Sequence, residues 1–188
     1  QAKKTFPFFI QKKMFVIENP ISSIKLDEYS IQKEKIILNV GRLEDQKDHL
    51  TLIKAFNIAI KNHKDWKLLI IGNGKNKKQL INEINNLNIS NNVTIMSFQK
   101  NIIPFYLKSS LYVSTSHYES HGLTVSEALN CKLPAIAFNN CAGLNIIIKN
   151  NFNGILVDSN NKILNLSKTL KVLFKDIMLI NTLANNIN

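Results

Sequence analysis

The chain has 188 residues, of which 45% are hydrophobic and 20% charged, and it carries a formal charge of +11 at pH 7. That length supports one well-buried domain, and no apolar run is long enough for a transmembrane helix. Two cysteines, Cys131 and Cys141, lack CxxC spacing and are too few for a disulfide framework, so reduced structural thiols are expected. The positive charge calls for anionic partners such as nucleotide phosphates, acidic lipid or nucleic acid. The lysines are spread along the whole chain, however, and aromatics do not interleave with them as on a base-stacking platform. Lys and Arg total 24, and Arg42 is the single arginine; in so lysine-biased a chain, a planar fork suited to phosphate gives that residue a reason.

In chain order, Gln1-Ala2-Lys3-Lys4 leads into a short Phe-rich patch, not a long apolar leader. Without an initiator Met, this opening reads as the interior of a longer protein. Met14 to Ile17 reads as a strand stopped at Pro20, and Ser22 to Glu34 as a linker. Lys35 to Val40 is nearly all apolar, as in a strand covered on both faces. It ends in Gly41-Arg42-Leu43 and a polar loop, after which Leu50, Ile53, Phe56 and Ile60 have helical spacing. The pattern repeats: strand Trp66 to Ile71, turn Gly72-Asn73-Gly74, helix through Leu80, Ile81, Ile84 and Leu87. Next come strand Val93 to Met96, loop Ser97 to Asn101, a short helix with Phe105, Tyr106 and Leu107, and strand Leu111 to Val113. After a polar stretch and another helix, Pro134 to Phe138 is a strand, Leu144 to Ile148 a short helix and Asn153 to Val157 the last strand. Ile163, Leu166, Leu170, Leu173 and Phe174 mark a closing helix.

Strict alternation of strand and helix predicts a doubly wound α/β fold with a mainly parallel sheet and helices on both faces. In such sheets a ligand sits beyond the carboxyl ends of the strands. Gly41-Arg42, Gly72 to Gly74, Ser97 to Asn101 and Glu119 to Gly122 all follow strand ends, so they should line one edge. The stretch Ser114 to Leu129 runs strand, polar loop, Gly122, then helix, and Glu119 and Glu127 bracket it with seven residues between. A helix opening at Gly122 presents free N–H groups and a positive dipole end to a phosphate. The two carboxylates would repel phosphate and instead accept hydrogen bonds from hydroxyls. A nucleotide sugar, with phosphates and many hydroxyls, meets both demands. The four histidines, at 49, 63, 117 and 121, show no metal-ligand spacing with cysteines or carboxylates, so no metal cofactor is expected.

These stretches, in this order and spacing over residues 12–158, resemble the retaining nucleotide-sugar glycosyltransferases of the GT-B fold, in the large group with an E-x7-E motif. The chain resembles the second, Rossmann-like lobe alone, with the whole of 1–188 as one donor-binding domain and the acceptor lobe absent. The resemblance implies that Arg42 and Lys47 hold the donor diphosphate and that Glu119 binds sugar hydroxyls, these three being the groups assigned to catalysis. It also assigns Glu127 to the ribose, backbone amides around His121, Gly122, Leu123 and Thr124 to the distal phosphate, and Gln99 to the base. Gly41, Gly72 and Gly74 would border the donor. The family's Glu-Gly-Phe-Gly is Glu119-Ser120-His121-Gly122 here, Lys132 stands where Gly is common, and Asn145 where an acid is common.

The function so implied is retaining hexosyl or N-acetylhexosaminyl transfer from a UDP-sugar, in cell-surface polysaccharide, lipopolysaccharide or glycolipid assembly. The partners would be a nucleotide sugar and a glycan or lipid-linked acceptor engaged through the other lobe. A cytoplasmic location, with association at the inner membrane face, is expected, nucleic acid is not an expected partner, and this stretch alone should not transfer sugar. Competing readings are a GT-B epimerase or phosphorylase lobe, and a basic α/β module binding nucleic acid or anionic membrane.

Overall fold

The computed structural model describes residues 32–187. The expected strand at 14–17 and most of the 22–34 linker lie outside them. Six strands form one sheet: β1 (Ile36–Val40), β2 (Lys67–Ile71), β3 (Val93–Met96), β4 (Leu111–Val113), β5 (Ala135–Phe138) and β6 (Gly154–Val157). Every pairing is parallel, in the order β3-β2-β1-β4-β5-β6. The direction of winding therefore reverses between β1 and β4.

The helices are α1 (His49–Ala59), α2 (Lys77–Asn86), α3 (Ile103–Lys108), α4 (Leu123–Asn130), α5 (Ala142–Ile147), α6 (Lys162–Lys175) and α7 (Ile177–Asn185). Alternating strand side chains feed two cores. Ile37, Leu68, Ile70, Val113, Ile136 and Phe138 pack with Leu52 and Phe56 of α1, Leu80 of α2, Leu170 and Phe174 of α6 and Leu183 of α7. On the other face Leu38, Ile71, Tyr112, Ala135 and Ala137 pack with Tyr106 of α3, Val125 and Ala128 of α4 and Leu144 of α5. Both faces are covered, which is why the strands read as continuous apolar runs. Trp66, expected to open β2, lies just before it, fully buried and stacked on Phe174 with ring centroids 4.3 Å apart.

The expected elements from β1 to α6 are all present, with ends shifted by a few residues. One further helix, α7, follows directly on α6. Asp176 ends α6 and caps α7, its carboxylate accepting from the Leu179 N–H at 2.9 Å. The apolar stripe through Phe174 and the continuation through Ile180 and Leu183 belong to two helices joined at that aspartate.

Candidate functional site at the reversal between strands β1 and β4

The ladder between β1 and β4 is short, pairing Ile37 with Leu111 and Leu38 with Tyr112. Beyond it side chains continue the connection. Asn39 Nδ2 donates to the Val113 carbonyl at 2.7 Å, and the Tyr112 hydroxyl lies 3.2 Å from the Val40 carbonyl and 2.8 Å from Thr124 Oγ1. The two loops leaving these strands then bind each other. His117 N–H donates to the Gln46 carbonyl at 2.8 Å, Gln46 Nε2 to the Tyr118 carbonyl at 2.8 Å, and Thr115 Oγ1 to the Lys47 carbonyl at 2.8 Å.

Through this zipper Lys47 reaches Glu119, although they are 72 positions apart in the sequence. Lys47 Nζ forms an ion pair with Glu119 Oε1, and both side chains are 15% exposed. The same oxygen accepts from Ser116 Oγ at 2.7 Å. In so sheltered a place each charge relies on the other, and losing one strands its partner. A Cβ on Gly41 would meet the Lys47 side chain, 3.2 Å from Cε, so this glycine leaves the lysine its path. His49, one residue past the Asp48 cap of α1, is buried, and its Nε2 has no hydrogen-bond partner among the described residues. Burial first, and the Lys47 charge second, hold its pKa down at about 4.

Gly122 begins α4 at φ 53, in the left-handed region, and no side-chain cap covers the first turn of that helix. One turn in, the half-buried Glu127 accepts a hydrogen bond at Oε2 from the Tyr106 hydroxyl at 2.9 Å. Leu123 and His121 are exposed and Thr124 is half-buried. The second glutamate is thus anchored from below by a core tyrosine, and the first from the side by Lys47.

Other anticipated residues lie along this edge but do not join that cluster. Arg42 follows β1 with its side chain 70% exposed, and its ion-pair partner is Glu44 at 3.4 Å. Gln99 turns back on its own loop, Nε2 donating to the Ser97 carbonyl at 3.0 Å. Gly72 and Gly74 have a packing reason for being glycine: a Cβ on Gly72 would collide with the Gly41 carbonyl, and one on Gly74 with the Leu43 backbone.

Several contributors escape a reading by motif. Tyr106, Tyr112, Thr115 and Ser116 look in the sequence like core or loop filler, yet their hydroxyls hold the site together. Gly143, on α5, is another: a Cβ there would collide with the Glu119 carbonyl, so this glycine lets the Glu119 loop seat against the helix. Its position one helix and one strand after Glu119 was the available signal, but only the fold connects the two. Among the described residues no group of three or more His, Cys, Asp or Glu is placed to hold a metal ion, and no helix is long and apolar enough to cross a membrane.

Known proteins share this architecture. An uncharacterized glycosyltransferase of Haemophilus influenzae is 30% identical over 163 residues, covering 86% of this chain and 46% of its own length. The amylovoran biosynthesis glycosyltransferase AmsD of Erwinia amylovora is 35% identical over 134 residues, 71% of this chain and 37% of its own. The chain therefore spans less than half the length of these relatives. Among solved structures, a mutant of S. aureus TarM in complex with fondaparinux, alpha-GlcNAc-glycerol and UDP superposes with a TM-score of 0.85 at 26% identity, over 92% of this chain and 35% of TarM. The sheet and its flanking helices are those of the C-terminal, Rossmann-like lobe of GT-B glycosyltransferases. The family model described as glycosyl transferases group 1 matches residues 23–187, which takes in all of the described residues, and the chain belongs to that family.

Proposed function

We propose that residues 1–188 form the donor-binding lobe of a retaining, UDP-sugar-dependent hexosyl or N-acetylhexosaminyl transferase that builds cell-surface glycans or glycolipids. The observation that carries this reading is the meeting of Lys47 and Glu119 at the reversal between β1 and β4, with the uncapped first turn of α4 and Glu127 directly beyond. A crevice outside the carboxyl ends of the strands, where the winding reverses, is the usual ligand site of doubly wound sheets. TarM, a relative of the same fold, was crystallised with UDP, and AmsD is named for polysaccharide assembly.

In this reading the α4 amides and Lys47 take the distal phosphate, and Arg42 swings from Glu44 to the diphosphate. Glu119 accepts from sugar hydroxyls and Glu127 from the ribose. As the glycosidic bond breaks, the leaving diphosphate gains negative charge, and cations already fixed beside it stabilise that transition state. Lys47 and Arg42 supply that charge, so the reading calls on no metal ion. The acceptor, a glycan or a lipid-linked sugar at the inner membrane face, is engaged by protein outside this chain, and the chain by itself binds donor without transferring sugar.

Calorimetric titration with UDP tests the reading. Lys47→Ala and Arg42→Ala should each weaken binding by about tenfold or more, the scale of a charge-assisted hydrogen bond. Wild-type protein that does not bind UDP, or variants that bind it as tightly as wild type, would contradict it.

A further inference from the structure

The hydroxyl of Tyr106 has a task that packing does not explain. The residue is fully buried on α3, in the core beneath α4. A phenylalanine would fill the same space without placing a polar group there, and a buried hydroxyl is costly unless it is paired. Its partner is Glu127 Oε2, 2.9 Å away. A carboxylate has no proton to give, so Tyr106 must be the donor. Burial pushes the phenol well above its ordinary range, which keeps the proton on it.

A second tyrosine stands beside it. The Tyr106 and Tyr112 rings are 6.0 Å apart between centroids. Tyr112 Oη lies 2.8 Å from Thr124 Oγ1, three residues before Glu127 and so on the same face of α4. Two neighbouring phenols thus hold two successive polar side chains of one helix face. Only the Tyr106 contact involves a charged group, and it takes one carboxylate oxygen. The other, Oε1, has no hydrogen-bond donor among the described residues.

We propose that Tyr106 is a positioning residue for nucleotide recognition: its O–H fixes the Glu127 carboxylate through Oε2 and leaves Oε1 as the acceptor for the ribose hydroxyls. This rests on the donor-site reading of Glu127. Tyr106 touches no substrate itself. Its contribution is to remove the rotational freedom Glu127 would otherwise lose on binding.

The test compares UDP with 2′,3′-dideoxy-UDP by calorimetry, in wild type, Tyr106→Phe, Glu127→Gln and the double variant. Wild type should prefer UDP by about tenfold or more. Tyr106→Phe should weaken UDP by about three- to tenfold and leave the dideoxy ligand unchanged, and the double variant should match Glu127→Gln. Partial unfolding of Tyr106→Phe does not confuse the result, because both ligands meet the same folded population and the ratio of their affinities cancels it. Equal weakening of both ligands, or a Tyr106→Phe preference equal to wild type while Glu127→Gln loses it, overturns the positioning role alone. Wild type that binds UDP without regard to the ribose hydroxyls, or that does not bind UDP, removes the Glu127 reading and this inference with it.

Discussion

Two loop systems share the carboxyl edge of the sheet, and they are built differently. Beyond β1 and β2 the backbones themselves interlock: Leu43 N–H donates to Asn73 O at 2.9 Å, Asn76 N–H to Leu43 O at 3.0 Å, and Gly72 and Gly74 have no room for a Cβ. Beyond β4 one backbone bond, His117 N–H to the Gln46 carbonyl, is joined by a set of side-chain links: Ser116 and Lys47 to Glu119, Tyr112 to Thr124, Tyr106 to Glu127. The first system needs the absence of side chains, and the second needs particular ones as well as the bare Gly143 against the Glu119 carbonyl. Close-packed glycine occurs in both, at Gly72 and at Gly143, but only the second region adds a network of polar side chains, although both look alike as strand–glycine–helix in the sequence.

Substitution of a glycine in each region breaks the comparison most sharply. Gly72→Ala drives a methyl into the Gly41 carbonyl at the centre of the sheet edge, where backbone on both sides is held by hydrogen bonds. It should destabilise the fold by more than about 4 kcal/mol, or prevent folding, in denaturant unfolding. Gly143→Ala meets the Glu119 carbonyl from α5, a helix of only six residues that lies outside the sheet. It should cost only about 2 kcal/mol of stability, while affinity for a UDP-sugar falls more than affinity for UDP. Equal stability losses for the two variants would erase the distinction.

A smaller effect sharpens it through pH. His49 sits where the two systems meet, buried and neutral, with its pKa held down at about 4 from an ordinary 6.5. The unfolded chain binds a proton there first as pH falls, so the stability from burying neutral His49 is full above pH 6.5 and declines between 6.5 and 4. The loss is about 3 kcal/mol by the linkage relation. His49→Leu should flatten that part of the stability profile relative to wild type, and parallel profiles for the two proteins would contradict the account. Taking the difference cancels the groups that the two proteins share.

Much of this was readable in the residues. Continuous apolar runs with polar, glycine-marked ends gave the parallel sheet, its covered faces and the edge along which Lys47, Glu119 and Glu127 are found. Lys47 and Glu119, singled out through the family resemblance for different parts of a donor, turn out to touch each other. What the residues could not give was which contact each makes in the folded chain. Arg42, conspicuous as a lone arginine, is spent on Glu44, and Gly72 and Gly74 serve backbone packing. The tyrosines were hidden because a phenol in an apolar run reads as core, and both are core at the ring while polar at the tip. The α6–α7 junction was hidden because an aspartate between two apolar stripes interrupts neither pattern by itself.

The most direct test is a crystal structure of the chain with UDP. The account predicts the diphosphate against Lys47 and the first turn of α4, with a ribose hydroxyl within hydrogen-bond distance of Glu127 Oε1. A nucleotide seated beyond β3, or at the amino ends of the strands, away from Glu119 and Glu127, would contradict it.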